Sequence, residues 1–496
     1  MISSYLLSLL KLPRLTLTTL TLLIAYTAQF STLSAQATTL PIPPLDSGVV
    51  NDSDKVREFD LNFQEGQKEL IPGKITKTFG VNGDILGPTL RFSSGEKVRI
   101  KVNNQLKEDT TAHWHGMRIP AVMDGGVHNI VQPGESWTAE FDVINPASTL
   151  WYHPHVMGNT GAQVYKGLAG LIIIDDAQEA ALDLPREYGV DDIPVIIQDR
   201  KFTKDGQFQY VQSMMDLHMG MMGNRLLING ALEPTASVPA KMVRLRLLNG
   251  SNARFYQLRF QDKRKFFQIA TDGGLMDKSV ELSELSLSPG ERAEIIVDLS
   301  TDFGKTLAIE GFQAAAGGKE SVFTILPISV DKAFSGINKG VLPQTLVKNN
   351  WLLEKDAQNQ RSFKLQMNMG GMMGGGAGGG MSHNSMFTIN DVAMDINKIN
   401  ETVKINTTEI WTIESNEMVH NFHVHNVQFQ VLDRGGRAPA AYENGWKDTV
   451  QVAPGAAVRI LLRFTDYTDS KSPYMYHCHV LEHEDQGLMG QFVVVE

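Results

Sequence analysis

The feature that most constrains the fold of this chain is an internal repeat with a period of about 160 residues. Three Pro-Gly turns each precede an alternating strand-like run: Pro133-Gly134 before 137–143, Pro289-Gly290 before 293–299 and Pro454-Gly455 before 458–464. A second marker keeps this period: Asn82-Gly83, Asn229-Gly230 and Asn390-Asp391 lead to runs at 97–102, 242–248 and 408–413. Short alternating strands separated by Gly and Pro turns are typical of β-sandwiches. The repeat predicts an all-β chain of three tandem sandwich domains.

The length of the chain and the repeat together predict the domain boundaries. A chain of 496 residues exceeds one ordinary core and suggests about three domains of roughly 150 residues each. We place domain 1 at 52–178, domain 2 at 190–330 and domain 3 at 345–496, with a Met- and Gly-rich loop at 366–386.

The first 37 residues have the composition of a secretory signal peptide. They contain Lys11 and Arg14, no acidic residue, an apolar run and Ala35-Gln36-Ala37 as a small-residue cleavage site. The apolar run is shorter than the roughly 20 residues of a membrane span, and no twin-arginine pair is present. We expect export to the periplasm, or otherwise out of the cytoplasm, with no membrane attachment after removal of the leader.

The charge and cysteine counts exclude several other classes. A formal net charge of −10 repels nucleic acid and anionic membranes, so no nucleic-acid partner is expected. The single cysteine cannot form an intramolecular disulfide, so the exported protein depends on ordinary hydrophobic cores.

Ten of the thirteen histidines lie in or beside four His-X-His pairs, and one pair encloses the only cysteine. The pairs are His113-Trp114-His115, His153-Pro154-His155, His423-Val424-His425 and His477-Cys478-His479, with His420 and His483 close to the last two. Residues i and i+2 of a strand share one face, so Cys478 would bind a different metal ion from its two neighbours. Imidazoles with one thiolate suit copper, whereas structural zinc sites are usually rich in cysteine. The pattern predicts a copper redox protein.

The three repeats differ in their histidines. After the second strand marker, the first copy continues to His113-Trp114-His115 and the third to the group from His420 to His425. The second copy has Asn252-Ala253-Arg254-Phe255 at that place. We therefore expect domains 1 and 3 to share a metal cluster and domain 2 to act as a scaffold.

The order of these motifs resembles that of the multicopper oxidases from about residue 52 to residue 496. The motifs are His-Trp-His-Gly, Trp-Tyr-His-Pro-His, His-X-X-His-X-His and His-Cys-His-X3-His. Segments 167–170, 445–448 and 481–485 are similar to those of the copper-efflux branch of the family. The resemblance implies three cupredoxin-like Greek-key β-sandwiches and four copper ions. It also implies substrate oxidation at a type 1 copper and reduction of dioxygen to water at a trinuclear cluster.

The resemblance also implies the role of each ligand. Type 1 copper is assigned His420, Cys478 and His483, and type 2 copper is assigned His113 and His423. The binuclear type 3 pair is assigned the remaining six imidazoles, which are His115, His153, His155, His425, His477 and His479.

The axial position of type 1 copper departs from the family pattern. Similar bacterial enzymes have a methionine ten residues after the cysteine, and here that position is Leu488, followed by Met489. If Leu488 is the non-ligating axial neighbour, the loss of a thioether donor predicts a raised reduction potential. Met489 remains the alternative axial ligand.

Two acidic residues match positions that serve proton transfer in the resembling enzymes. These are Asp124 and Glu484, for which the alternatives are a turn residue and a solvated carboxylate beside a ligand. Reduction of dioxygen to water consumes four protons, so a proton route is required.

Two groups of methionines are candidate binding residues for the substrate. Met214, Met215, Met219, Met221 and Met222 cluster in domain 2, and a further group lies in the Gly-rich loop. Thioethers are soft ligands suited to Cu(I), although methionine is also ordinary core packing. The resemblance implies a substrate-copper site for which Met367, Met418 and Met372 are the candidates.

These observations predict an exported, monomeric oxidase of Cu(I) that protects the cell from copper and uses dioxygen as the electron acceptor. Fe(II), phenols and diamines are further candidate donors. A laccase acting mainly on phenols and diamines shares every copper ligand, and only the methionines favour Cu(I). A non-enzymatic copper-storage or structural cupredoxin is the third alternative, in which ligands are typically lost.

Overall fold

Six β-sheets make up most of the regular structure in the described part of the chain. The computed structural model describes residues 38–314, 320–332, 342–367, 386–415 and 417–496. The predicted leader and Met372, with most of the Met- and Gly-rich loop, lie outside the described residues. Within the described ranges, each helix is too short or too polar to cross a membrane.

The first two sheets contain ten strands. They are β1 (Leu45–Asp46), β2 (Val49–Val50), β3 (Arg57–Ile71), β4 (Lys74–Val81), β5 (Thr89–Ser93), β6 (Lys97–Asn104), β7 (His113–His115), β8 (Ser136–Asp142), β9 (Ser148–His153) and β10 (Gly170–Asp175). One sheet has the order β1-β5-β10-β9-β7, and the other has β2-β3-β6-β8 with β4 paired to β3. Helices α1 (Thr160–Lys166) and α2 (Ala177–Ala180) flank β10, and a 3-10 helix spans Ala121–Met123.

The next two sheets contain twelve strands. They are β11 (Asp192–Arg200), β12 (Arg225–Ile228), β13 (Ala231–Leu232), β14 (Ala236–Pro239), β15 (Met242–Asn249), β16 (Tyr256–Phe260), β17 (Phe266–Thr271), β18 (Gly274–Leu282), β19 (Leu285–Leu287), β20 (Arg292–Asp298), β21 (Thr306–Ala314) and β22 (Glu320–Lys332). Their orders are β13-β12-β11-β15-β20-β17-β18 and β14-β22-β21-β16-β19. Helix α3 (Met214–Met219) lies between β11 and β12 in the sequence.

The last two sheets contain ten strands. They are β23 (Ala357–Met367), β24 (Phe387–Ile389), β25 (Glu401–Lys404), β26 (Thr408–Ser415), β27 (His420–Val424), β28 (Phe429–Arg434), β29 (Thr449–Val452), β30 (Val458–Arg463), β31 (Asp469–His477) and β32 (Met489–Val495). Their orders are β24-β23-β26-β30-β28 and β25-β32-β31-β27-β29. Helix α4 (Leu481–Asp485) connects β31 to β32, and 3-10 helices span Glu354–Asp356 and Ala441–Glu443.

The sequence repeat corresponds to one structural unit that recurs three times. A parallel pair followed by an antiparallel pair is formed by β3-β6-β8, β11-β15-β20 and β23-β26-β30. The turn before the last strand of each unit needs glycine, because Gly134, Gly290 and Gly455 have φ of 81°, 84° and 75°. The pairing confirms that both markers identify equivalent turns and strands.

Apolar side chains of each sheet pair meet between the two layers. In β6 every second residue is buried, and Val98, Ile100 and Val102 pack with Leu90 and Phe92 of the facing sheet. Burial of apolar surface contributes about 25 cal/mol per Å², so this alternation fixes which face of each strand points inward. The prediction of three tandem sandwiches is confirmed. Their strands span residues 45–175, 192–332 and 357–495, and β1 and β2 precede the boundary predicted at residue 52.

Candidate metal centre

The predicted ligands lie at strand ends of the first and third sandwiches. Strands β7 and β9 pair so that His113 is opposite His153, and β27 and β31 pair so that His423 is opposite His477. Only the pair in β7 lies wholly within a strand, because β9, β27 and β31 end before the second histidine of their pairs. Strand pairing fixes both imidazoles in β7 and the first imidazole of the other three pairs, whose second imidazole is placed by the loop that follows the strand.

One group joins the single thiol to two imidazoles. Cys478 Sγ lies 3.5 Å from Nδ1 of His420 and 3.8 Å from Nδ1 of His483, and these two nitrogens are 3.1 Å apart. Donors bound about 2.0–2.3 Å from a metal ion lie roughly 3–4 Å from one another, so the three atoms can hold one ion. Burial raises the pKa of the Cys478 thiol to about 12, so a thiolate at neutral pH requires a bound cation.

A second group consists of three imidazoles from both sandwiches. Nε2 of His477 lies 3.2 Å from Nε2 of His155 and 3.2 Å from Nε2 of His425. All three rings are buried, and no ordinary hydrogen-bond pattern explains three nitrogens converging on one point. Burial lowers the pKa of His155 to about 4, so its imidazole is neutral and free to bind a metal ion.

A third group lies on the other side of the same cluster. His115 Nδ1 lies 3.4 Å from His153 Nε2, and the ring of His479 lies 5.1 Å and 5.2 Å from the rings of His115 and His153. Both ring nitrogens of His479 are buried without a hydrogen-bond partner. Unpaired buried polar atoms cost free energy, so this set of nitrogens fits a metal-binding role.

His113 and His423 complete the cluster. Nε2 of each is buried without a hydrogen-bond partner, and the two rings lie 6.0 Å apart. His113 stacks on His425 at 3.9 Å, and His423 stacks on His115 at 3.7 Å, so imidazoles of the two sandwiches alternate. The donor set is rich in nitrogen with a single sulfur, and it therefore fits copper.

Both predicted acidic residues contact the ligand histidines. Asp124 Oδ2 lies 2.7 Å from Nδ1 of His425, and the Asp124 carbonyl oxygen accepts from Nδ1 of His113 at 2.9 Å. Glu484 lies 3.2 Å from Nδ1 of His477 and 3.5 Å from Nδ1 of His155. Burial raises the pKa of Asp124 to about 8. Neither residue is solvated, which contradicts the reading of Glu484 as a solvated carboxylate.

A buried ion pair between Arg292 and Asp448, which the sequence analysis did not predict, contacts the histidine cluster and supports it. Asp448 Oδ1 lies 3.1 Å from Nε2 of His115, and the Asp448 carbonyl oxygen accepts from Nδ1 of His423 at 2.8 Å. Arg292 of the second sandwich donates to both carboxylate oxygens of Asp448, at 2.8 and 2.7 Å. It also donates to the carbonyl oxygen of Thr149 in the first sandwich at 3.1 Å. The sequence feature that could have indicated this ion pair is Arg292, a charged residue that follows the Pro289-Gly290-Glu291 turn and begins an apolar strand.

The second sandwich also holds α4, which carries His483 and Glu484. Asn252, in the segment where the other two repeats have histidines, donates to Glu482 Oε1 at 2.8 Å. Tyr210 donates to the same oxygen at 3.0 Å. The first sandwich also contributes, because Asp485 accepts from the backbone N–H groups of residues 160 and 161 at the start of α1. The second sandwich is thus a scaffold with specific contacts to the site.

Leu488 and Met489 project into different parts of the core. Leu488 is fully buried and belongs to the hydrophobic cluster that contains Cys478, whereas Met489 packs with Val127 and Met475 in a separate cluster. Successive residues of an extended chain point to opposite faces, which explains the separation.

The methionine candidates are partly outside the described residues. Met367 and Met418 pack against the cluster that contains Cys478. Met367 is also the register partner of Phe387, whose ring lies 4.2 Å from the ring of His483. Met372 lies outside the described residues.

Fold and site together define a copper protein built from cupredoxin-like sandwiches. Two family models described as multicopper oxidase match residues 62–179 and 365–496. The chain is 37% identical over 448 residues to a multicopper oxidase of Staphylococcus epidermidis, covering 89% of this chain and 90% of the relative. It therefore belongs to the multicopper oxidase family, and it is an oxidoreductase with copper cofactors and oxygen as acceptor.

Other relatives carry different names. The chain is 32% identical over 462 residues to cell division protein FtsP of Escherichia coli, covering 93% of each chain. A laccase-like multicopper oxidase CueO from Ochrobactrum, with oxidase activity towards lignin model compounds, has a TM-score of 0.83 and 37% identity. The match covers 92% of this chain and 100% of that structure. A multicopper oxidase of Campylobacter jejuni described as a metallo-oxidase has a TM-score of 0.79 and 29% identity, covering 93% and 96%.

Proposed function

We propose that this protein is an exported cuprous oxidase, which couples one-electron oxidation of Cu(I) to four-electron reduction of dioxygen to water and thereby confers copper tolerance. The observation that carries the proposal is a complete ligand set. Eight imidazoles converge between the first and third sandwiches, and Cys478, His420 and His483 form a second group in the third sandwich, beside the cluster against which Met367 and Met418 pack. The described relative from Campylobacter, a metallo-oxidase, supports a metal ion as substrate.

Each ligand group receives one role in this proposal. His420, Cys478 and His483 hold type 1 copper, and His113 and His423 hold type 2 copper. The type 3 pair is divided between His155, His425 and His477 on one side and His115, His153 and His479 on the other. When bound, the four copper ions supply one-electron redox chemistry and a binding place for dioxygen.

The chain connects the two kinds of site covalently. Cys478 lies between His477 and His479, so its backbone joins the thiolate group to both type 3 groups. The Cys478 backbone carbonyl also accepts from Nδ1 of His477 at 3.0 Å, giving a second path through a hydrogen bond. A short covalent path favours rapid electron transfer from the type 1 group, where the substrate is oxidised, to the type 3 groups, where dioxygen is reduced.

The burial of the type 1 group favours Cu(I) over a bulky phenol as the substrate. His483 is fully buried, and its Nε2 donates to the carbonyl oxygen of His218 at 3.0 Å. A phenol cannot hydrogen-bond to that nitrogen without displacing α3, whereas a metal ion needs only side-chain donors nearby.

Oxygen consumption tests the proposed function directly. Copper-reconstituted protein would be offered Cu(I), Fe(II) and a phenol separately, with a visible spectrum and copper count on the same sample. We expect about four copper ions, a strong blue thiolate band and the highest turnover with Cu(I). Faster turnover of phenols without added copper would make the protein a laccase.

Two alternatives are favoured by specific relatives. The Ochrobactrum enzyme, described as laccase-like, supports an organic substrate, and FtsP, named for cell division, supports a structural role. The second alternative requires that copper-loaded protein consume no oxygen with any donor. The retained ligand set argues against it, because a structural protein has no need of eleven buried metal donors.

Replacement of Leu488 by methionine should lower the reduction potential of the type 1 site. A thioether beside Cys478 would stabilise Cu(II), and leucine offers no donor. Redox titration of the blue band measures the effect, and Met489→Leu is the matched control because Met489 packs in a separate cluster. An unchanged potential in Leu488→Met, or a shifted one in Met489→Leu, would sink the assignment of Leu488 as axial neighbour.

Neutralising either acidic residue should slow oxygen reduction. Asp124→Asn and Glu484→Gln keep the size of each side chain but remove the ionisable group, and positioned acids typically contribute about 10²–10⁴-fold. Single-turnover reoxidation of reduced enzyme by dioxygen isolates this step from substrate oxidation. Reoxidation at the native rate in both variants would remove the proton-transfer role, and an unchanged blue band would show that the type 1 site is intact.

A further inference from the structure

Three methionines on α3 are exposed to solvent beside the type 1 group. Met214, Met215 and Met219 have exposed fractions of 49%, 63% and 43%, although burial of an apolar side chain ordinarily stabilises a protein. His218 lies between them and is half-buried. Packing therefore does not explain these methionines, since a core residue would be covered.

The helical spacing brings soft donors together. Met215, His218 and Met219 stand at positions i, i+3 and i+4, which share one face of a helix. Two thioethers and one imidazole on one face form a donor set that suits monovalent copper and excludes hard cations such as Mg²⁺.

Helix α3 is short but firmly held. Ser213 caps it, with its hydroxyl accepting from the Asp216 N–H at 3.2 Å and Asp216 accepting in return from the Ser213 N–H at 3.1 Å. Lys201 pairs with Asp216 at 3.3 Å. A capping box stabilises the start of a helix, so the three side chains project from a well-defined backbone.

The C-terminal end of α3 is tied to α4. Gly220 has φ of 76°, and a Cβ atom there would lie 2.3 Å from Cβ of Ala253. Met221 N–H then donates to Glu482 Oε2 at 2.8 Å. These contacts fix the distance between the methionine face and the helix that carries His483.

His218 connects the exposed donors to the type 1 group. Its carbonyl oxygen accepts from Nε2 of His483 at 3.0 Å, while Nδ1 of His483 faces Cys478 and His420. A ligating histidine commonly donates its second N–H to a carbonyl, which orients the ring. Here that carbonyl belongs to a residue whose own side chain lies among the methionines.

We propose that Met215, His218 and Met219 form a surface site for Cu(I), from which electrons enter the type 1 group through the His218 carbonyl and His483. This inference rests on the proposed cuprous oxidase function and names a docking site in the second sandwich, distinct from Met367 and Met418. Cu(I) held there loses one electron and leaves as Cu(II). The electron passes along the hydrogen bond to the imidazole of His483. Four such electrons and four protons convert one dioxygen to two water molecules.

The test is a double variant, Met215→Leu with Met219→Leu, in the copper-loaded enzyme. Leucine keeps the apolar bulk and helix propensity but lacks a sulfur donor, and both side chains are exposed, so folding should be unaffected. Met157→Leu, which changes a 42%-exposed methionine of the first sandwich, is the matched control. Ag(I), a soft and redox-inert monovalent ion, is the binding probe, and titration calorimetry gives the number of ions bound.

We expect the double variant to bind one Ag(I) fewer than the native enzyme and the control. Its KM for Cu(I) should rise about tenfold, equivalent to the loss of about 1.4 kcal/mol of binding, with phenol kinetics unchanged. An unchanged Ag(I) count would overturn the site, and a lower count with unchanged Cu(I) kinetics would overturn its role in delivery.

Failure of the proposed cuprous oxidase function would give a different result from failure of the surface Cu(I) site. If the native enzyme does not oxidise Cu(I) but the double variant still loses one Ag(I), the metal site stands and the cuprous oxidase proposal fails. His218→Gln supplies an independent check, because it removes the imidazole and keeps the carbonyl that orients His483. It should lower Ag(I) affinity and leave the blue band in place, and a lost blue band would indicate a purely structural role.

Discussion

Oxygen consumption should fall to background with every electron donor when Cys478 is replaced by serine. The residue is the only thiol in the chain, is fully buried, and lies within 3.8 Å of both imidazole nitrogens of its group. Serine cannot supply the soft thiolate that a type 1 site requires. The blue absorption band should disappear, and the copper count should fall by about one, as measured by atomic absorption.

The matched control for this variant lies three residues earlier, in the strand that leads to Cys478. Met475→Leu changes a buried residue of β31 that packs with Met489 and Val127, away from Cys478. It should keep the blue band and most of the activity, since a volume-conserving apolar swap usually costs less than 1.5 kcal/mol. Native oxygen consumption by Cys478→Ser would refute the assignment of the electron entry to this cysteine.

The second large effect is expected from Arg292→Met. This guanidinium is fully buried and uses its donors on Asp448, the Asp272 carbonyl, the Gly290 carbonyl and the Thr149 carbonyl. Removing it leaves the Asp448 carboxylate buried without its cationic partner, which typically costs about 3–5 kcal/mol of folding free energy. Denaturant unfolding should show this loss.

The same variant should affect copper selectively. Asp448 contacts His115 and His423 but none of the residues around Cys478, so cluster copper should be lost while the blue band remains. Arg264→Met is the control, because Arg264 pairs with Asp262 and Asp302 on the half-exposed side of the second sandwich. Full copper content in Arg292→Met would exclude a positioning role for the Arg292–Asp448 pair.

The placement of the ligands was predictable from the sequence to an unusual extent. The four His-X-His pairs, with His420 and His483, all lie in the buried groups that the structure brings together. Spacing of two residues is a local property, and the separation of Cys478 from its neighbours follows from the alternating direction of side chains along an extended chain. The contacts of Asp124 and Glu484 with the ligands came from family resemblance.

The supporting residues were not predictable in the same way. Arg292 and Asp448 are 156 residues apart in the sequence, and Asn252 and its partner Glu482 are 230 apart, so each pair meets only because the sandwiches pack together. A charged residue in an apolar strand signals a buried partner but does not identify it. Which of Leu488 and Met489 packs in the same cluster as Cys478 could likewise not be predicted, because the two residues are adjacent in the sequence and only the packing separates them.

The sequence by itself determined the all-β class, the threefold repeat and the identity of the metal donors, because turn residues, alternation and donor chemistry are local. Only the tertiary structure decided which imidazoles converge, which cation neutralises Asp448, and that the exposed methionines of α3 lie one hydrogen bond from His483. Those facts depend on contacts between residues far apart in the chain, and the free energy of such contacts comes from burial, which no local pattern encodes.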